Sequence, residues 1–502
     1  MTTNIANINL DETSPLTRKI GYFLGPLLFL LTLFVESPEG MDTNAWHVCG
    51  LAMWMGTWWV TEAMALPVSS LLPLVILPLF TDISFKGAAT PYASSIIFLL
   101  LGGFILSIAM EKWNLHMRIG LGILRMMGRG PKSILGGMMI ATAFMGMWIS
   151  NTACAIMMLP MAISMALLFC GGDSECDQTS NPFAKAMILG VAYAAVVGGL
   201  STFVGTPTNA VLIGHMSKTY GFEFSLADWM TFGIPLGLTL LFIVWGLLTF
   251  IFLRKHEIEG DVKSMVRNAY SNLGAMRREE KTVALVFFTA ASLWAGSSYI
   301  EKSLNIQIDD AAIAVFAALL MFVIPTNKKF DQFALTWKDT SKLPWGILVF
   351  FGGSLCISDA LTASGVTQWL SVKLNMLEGL NIVLIIGVVI ILLIIVSEMM
   401  SNVATITAFL PILSAMAAAM QVNPLLVLIP ATLAASCGFM LPGASAPNAF
   451  AYGTGYIKIK DMVRTGFILD MLAGLLVLGF TFTVISWVFG IEPGVMPDWA
   501  LK

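Results

Sequence analysis

Residues 20–35, 234–253 and 467–489 run close to a bilayer's thickness with few or no charges. A helix needs about 20 apolar residues to cross hydrocarbon. A chain built of such runs cannot cover a water-facing surface. Only 11% of its residues are charged, where a soluble domain carries about 25%. The sequence therefore predicts an all-α integral membrane protein. The opening residues are polar and include Asp11 and Glu12. They lack the basic stretch and small-residue cleavage site of a signal peptide.

Eleven spans are expected, at 18–36, 46–62, 68–80, 94–112, 186–217, 232–253, 282–300, 311–325, 345–364, 424–455 and 466–490. Two further apolar stretches, 133–170 and 381–420, are each broken near the middle by a polar cluster. They read as re-entrant helical hairpins. Non-helical backbone at membrane depth is tolerated where protein or a wet cavity surrounds it. With a cytoplasmic N-terminus and the C-terminus outside, 22 of the 27 Lys and Arg residues fall on the cytoplasmic side. Lys86, Lys218, Lys302, Lys373 and Lys502 remain outside. That is the positive-inside bias, and a single crossing by either hairpin would degrade it.

The second half repeats the first. Gly102-Gly103 in "FLLLGGFIL" returns as Gly352-Gly353 in "LVFFGGSL". Ser150-Asn151-Thr152 returns as Ser401-Asn402-Val403, and Pro160 and Pro411 each stand nine residues after the asparagine. "GTPTN" from Gly205 to Asn209 returns as "ASAPN" from Ala444 to Asn448. The first glycine pair lies on an inward-running span and the second on an outward-running one. Inverted repeats of this kind are favoured by secondary transporters.

Four polar, helix-breaking clusters thus lie at membrane depth: 150–152, 205–209, 401–405 and 442–448. A broken helix offers free N–H groups and a positive dipole end to an anion, and free carbonyls to a cation. Ser and Asn also cap helices, so one such cluster alone carries little. Four in two matched pairs carry more, because buried polar groups are costly in lipid. The six cysteines and four histidines are scattered without metal-ligand spacing,. No Gly-x-x-x-x-Gly-Lys-Ser/Thr loop occurs; "GRGPKS" at 128–133 has the wrong spacing,. Nucleic acid is not an expected partner.

The chain resembles the divalent anion/sodium symporters, which include the sodium-coupled di- and tricarboxylate carriers. The matching pieces are "WWVTEAMALPVSSLLP" (58–73), the two hairpin tips, "SEMMSNVAT" (397–405), "GTPTN" (205–209) and "SCGFMLPGASAPNAFAYGTG" (436–455). The resemblance covers nearly everything after residue 18. It implies a first sodium site from Ser150, Asn151 and Gly205, and a second from Ser397, Asn402 and the Ala444 carbonyl. It implies substrate contacts from Asn151, Thr152, Thr206, Asn402 and Ser445. It further implies a homodimer in the lipid bilayer of the cell membrane, working by an elevator-type movement. The expected organisation is a cytoplasmic tail (1–17), scaffold helices 1–4 (18–112), the first transport part (113–253, with hairpin 133–170), a cytoplasmic connector (254–281), scaffold helices 7–9 (282–364) and the second transport part (381–490, with hairpin 381–420).

Three positions depart from the family pattern. Val403 stands where Thr is common, Ser445-Ala446 replaces Thr-Pro, and Gly146 occupies a position that can be Ser. These bear on the substrate and the sodium count more than on the fold. Among carboxylates in apolar surroundings, Glu62, Glu398, Asp359 and Asp470, only Glu398 stands near a motif. It reads either as a group that orients the second cation site or titrates with transport, or as a structural carboxylate bonded to backbone N–H groups. The function expected is sodium-coupled symport of a C4-dicarboxylate, with no enzymatic chemistry. The rivals are a sodium-independent exchanger, a citrate or sulfate carrier, a channel and a membrane enzyme.

Overall fold

A computed structural model describes residues 15–128, 130–168, 181–254, 262–304, 309–374, 380–492 and 494–500. Every regular element among these residues is helical. The first half runs α1 (Pro15–Phe34), α2 (Thr43–Thr61), α3 (Leu66–Ser69), α4 (Leu72–Phe80), α5 (Phe85–Ala89), α6 (Ser95–Lys112) and α7 (Leu115–Met126). It continues with α8 (Pro131–Gly146), α9 (Asn151–Leu168), α10 (Pro182–Leu200), α11 (Pro207–Tyr220), α12 (Leu226–Phe252) and α13 (Val262–Asn272). The second half runs α14 (Arg278–Leu304), α15 (Asp310–Val323), α16 (Trp345–Ala363), α17 (Val366–Lys373), α18 (Ile382–Met399) and α19 (Asn402–Ala419). It ends with α20 (Leu425–Ala435), α21 (Ala446–Gly453), α22 (Ile459–Phe480) and α23 (Ser486–Val488).

Both predicted hairpins form, as α8–α9 and α18–α19, and the helix breaks fall at the polar clusters. The break after α10 spans 201–206 and that after α20 spans 436–445. The local chemistry explains these boundaries. Pro182 and Pro207 open α10 and α11, where a missing N–H costs nothing. Asn181 accepts from Phe183 and Ala184 N–H, and Asn381 accepts from Val383 and Leu384 N–H. Each caps the helix that follows it.

Three helices of eight or more residues form outside the expected spans and hairpins: α7, α17, and α13 in the segment read as a cytoplasmic connector. They are short and carry charge, so apolar run length does not reveal them. Arg118 on α7 pairs with Glu280 of α14. Tyr270 of α13 lies under the guanidinium groups of both Arg118 and Arg125. The charged segments thus fold onto the ends of the apolar helices.

Among the described residues, eight helices are long and apolar enough to cross a membrane. The apolar helices sort radially by their surroundings. α10 is buried along almost its whole length and every residue of α20 is buried. α1, α18 and α22 instead expose apolar faces through Phe23, Leu27, Phe34, Leu384, Val388, Phe467 and Leu475. Such faces suit hydrocarbon, not water. The repeated glycines let helices touch: Gly102 on α6 lies against the Ala314 main chain of α15, and Gly353 on α16 lies against Ser70.

Candidate functional site

Each hairpin tip ends on an asparagine that begins the second arm, Asn151 for α9 and Asn402 for α19. Each asparagine reaches a broken helix of its own repeat. With its amide nitrogen turned toward the carbonyls, the orientation these acceptors demand, Asn151 donates to Ala195 O at 2.8 Å and Gly205 O at 3.2 Å. Asn402 donates in the same way to Ala444 O at 2.8 Å and Ala435 O at 3.2 Å. The two arrangements are the same construction made twice: a tip amide, one carbonyl from the end of a buried helix, and one from the loop beyond it. Turning the amide over would add its Oδ1 to the two carbonyls. Three converging neutral oxygens suit a hard cation that must also leave again.

The breaks themselves are braced from within. Asn209 of α11 donates to Thr202 O at 2.9 Å and Gly199 O at 3.3 Å. Its counterpart Asn448 of α21 donates to Gly438 O at 3.0 Å and Leu441 O at 3.2 Å. Both side chains are fully buried. They satisfy carbonyls that the interrupted helices leave open.

Hairpin and loop are then joined, with different chemistry in the two repeats. In the first, Thr202 Oγ1 donates to Met147 O at 2.5 Å and accepts from Gly205 N–H at 3.1 Å. In the second, the Glu398 carboxyl accepts from Met440 N–H and Leu441 N–H, both at 2.8 Å. Met147 and Glu398 each stand four residues before the tip asparagine, and Thr202 and Leu441 each stand three before Gly205 and Ala444. The same join is thus made by a loop hydroxyl in one repeat and by a hairpin carboxyl in the other. Glu398 is bonded to backbone N–H groups of the loop that carries Ala444. Asp470 of α22 lies beside it and accepts from Phe439 N–H at 3.2 Å.

The expected site residues sort as follows. Asn151 and Gly205 meet, as do Asn402 and Ala444. Ser150 sits at the first tip, where its hydroxyl accepts from Ala153 N–H at 3.4 Å. Ser397 is buried one turn before the second tip, and its hydroxyl donates to Ile394 O at 2.9 Å. Thr152 is exposed beside Asn151. Thr206 is buried, with its hydroxyl 3.2 Å from that of Thr208. The Ser445 hydroxyl is buried without a partner among the described residues, which leaves it available to a ligand. Four helices, α9, α11, α19 and α21, begin at these clusters, so their N–H ends are present where an anion would be held.

Gly146 has a steric reason here. A Cβ on it would stand 2.7 Å from Ala195 O, one of the two carbonyls that Asn151 meets. The carbonyls of Ala195 and Ala435 were invisible in the sequence, since an alanine in an apolar helix advertises nothing. Thr202 lies three residues before "GTPTN", and that polar residue at a helix break was the available signal.

A family model described as the sodium:sulfate symporter transmembrane region matches residues 17–491. The sodium-dependent dicarboxylate transporter SdcS of Staphylococcus saprophyticus is 38% identical over 485 residues, covering 94% of this chain and 92% of that protein. SdcS of Staphylococcus aureus strain USA300 is 38% identical over 482 residues, with the same coverage. Among solved structures, Neisseria gonorrhoeae MtrF superposes with a TM-score of 0.57 at 12% identity, covering 96% of this chain and 97% of that one. The Alcanivorax borkumensis YdaH transporter superposes at 0.53 and 14% identity, covering 96% and 100%. These two likenesses speak to the fold alone.

Proposed function

The chain belongs to the sodium:sulfate symporter family, the divalent anion/sodium symporters, and from that membership we propose that it is a sodium-coupled carrier of C4-dicarboxylates such as succinate, malate and fumarate. The supporting observation is the doubled cage, in which Asn151 and Asn402 each close on two main-chain carbonyls. Sodium enters these cages first. It orders the tips and offsets part of the charge of the dianion. The dianion then bridges the tips, held by Asn151, Thr152, Thr206, Asn402, Ser445 and the helix ends, with no arginine to retain it. Coupling is reciprocal, so substrate tightens sodium by the factor that sodium tightens substrate. More than two sodium ions per dianion makes the cycle electrogenic, and the membrane potential then contributes about 2.3 kcal/mol per charge per 100 mV.

In this reading α1–α6 and α14–α16 form a scaffold and the remaining long helices a transport domain that slides past it, in a homodimer with a cytoplasmic N-terminus and an external C-terminus. The test is uptake of radiolabelled succinate into proteoliposomes with and without an inward sodium gradient. Uptake rises steeply with external sodium and not with potassium. Equal uptake in choline and sodium buffers, driven instead by internal dicarboxylate, makes the protein an exchanger and refutes the reading.

A further inference from the structure

A chain of buried hydroxyls runs from the first cage to the second. Thr206 Oγ1 lies 3.2 Å from Thr208 Oγ1, and Thr208 Oγ1 lies 2.6 Å from Ser436 Oγ, 228 residues further along the chain. Ser436 Oγ donates to Thr432 O at 3.1 Å. All three hydroxyl side chains are essentially inaccessible, with Thr206 at 5%, Thr208 at 0% and Ser436 at 2%.

Each hydroxyl has one hydrogen to give and lone pairs to accept with, so Thr206, Thr208 and Ser436 form one continuous hydroxyl chain that ends on the α20 backbone at Thr432 O. Both of its ends abut a cage. Thr206 follows Gly205, whose carbonyl meets Asn151, and Ser436 follows Ala435, whose carbonyl meets Asn402. Among the described residues, no other side-chain hydrogen bond crosses from the 201–209 segment to the 436–448 segment.

We propose that Thr208 and Ser436 are positioning residues that couple the two cation sites. The proposal rests on the two-cage reading of sodium binding. A cation that draws on Gly205 O fixes the Thr206 backbone, and the hydroxyl relay then holds the end of α20 with Ala435 O in place for Asn402. The first ion thereby prepares the second cage, and by reciprocity the second prepares the first. Hydroxyl chains in low dielectric polarise one another, which favours transmission through this link over the apolar packing around it.

The experiment is a sodium-activation curve for succinate uptake in proteoliposomes. It compares the native protein with Thr208→Val, Thr208→Ser, Ser436→Ala and the Thr208→Val/Ser436→Ala double variant. Native uptake has a Hill coefficient above unity. Thr208→Val and Ser436→Ala move it toward unity and raise half-saturating sodium about fivefold or more, the lower range of site-to-site coupling. Maximal rate at saturating sodium is kept. Thr208→Ser keeps the hydroxyl and the cooperativity. The double variant is no worse than either single one, because both cut the same link. Ser436→Ala tests the link from its other side if Thr208→Val does not assemble. Native cooperativity in either hydroxyl-free variant overturns the relay while leaving two sites in place. A Hill coefficient of unity in the native protein, with uptake still sodium-dependent, overturns the two-cage reading itself.

Discussion

Removing the Glu398 carboxyl tests how the second cage is built. Its two oxygens take the N–H groups of Met440 and Leu441, each at 2.8 Å, and the residue is 3% exposed. Glu398→Ala leaves both amides, part-buried in the loop, unpaired; buried groups would cost about 1–3 kcal/mol each, or about 2–6 kcal/mol together, and partly exposed ones take the lower end,. The loop they belong to presents the Ala444 carbonyl to Asn402, so the cost falls on the arrangement proposed to bind the cation. An apparent affinity falls by the fraction of molecules in the competent state, and 1.4 kcal/mol is tenfold. The lower bound of about 2 kcal/mol therefore raises half-saturating sodium roughly 30-fold. Glu398→Gln keeps one acceptor and faces the other amide with an NH₂ group, so it costs about half as much and raises half-saturating sodium about tenfold or less. The assay is sodium activation of uptake in proteoliposomes, with protein amount normalised. If the carboxyl acted only through its charge, Gln would be as harmful as Ala. Half-saturating sodium within twofold of native in Glu398→Ala refutes the construction argued here.

Three further substitutions probe the tips. Asn151→Asp and Asn402→Asp each lose the NH₂ donor toward two carbonyls, so uptake collapses while the protein assembles; Asp caps a helix about as well as Asn, and near-normal uptake in both would make these residues mere caps. Gly199→Ala places a Cβ into the Asn151 side chain, an overpacking cost of about 1–3 kcal/mol, so sodium activation shifts to higher concentration; unchanged activation shows that the Asn151 amide does not rest where the structure puts it.

The parts of the fold legible in the sequence are those that one residue type announces locally. Apolar runs announced the long helices, Pro207 and Asn209 announced one break, and Asn151 and Asn402 announced the tips because each recurs with its proline nine residues later. The short helices α7, α13 and α17 were not legible, because Arg118 and Arg125 interrupt α7, Lys263 and Arg267 interrupt α13, and α17 has only eight residues. They hold their place through tertiary pairing, such as that of Arg118 with Glu280. The cages were half legible. Asparagine amides carry a signature, but the carbonyls of Ala195 and Ala435 belong to the backbone and are selected by where a helix stops. The contact between Thr208 and Ser436 depends on the relative placement of two repeats, and no local pattern specifies that.

The complete burial of α20, and the near-complete burial of α10, separates two properties that a change of solvent would otherwise confound. α10 and α20, which supply the Ala195 and Ala435 carbonyls, are sheathed by other protein, while α1, α12, α14, α15, α18 and α22 are among the helices that form the skin. Detergent, short-chain lipid or a thicker bilayer touches only that skin. The concentration of sodium needed to fill the cages should therefore carry over from micelle to membrane. In the proposed elevator movement, the speed at which whole helical bodies shift against one another, dragging the skin through its surroundings, should depend on which amphiphile is chosen.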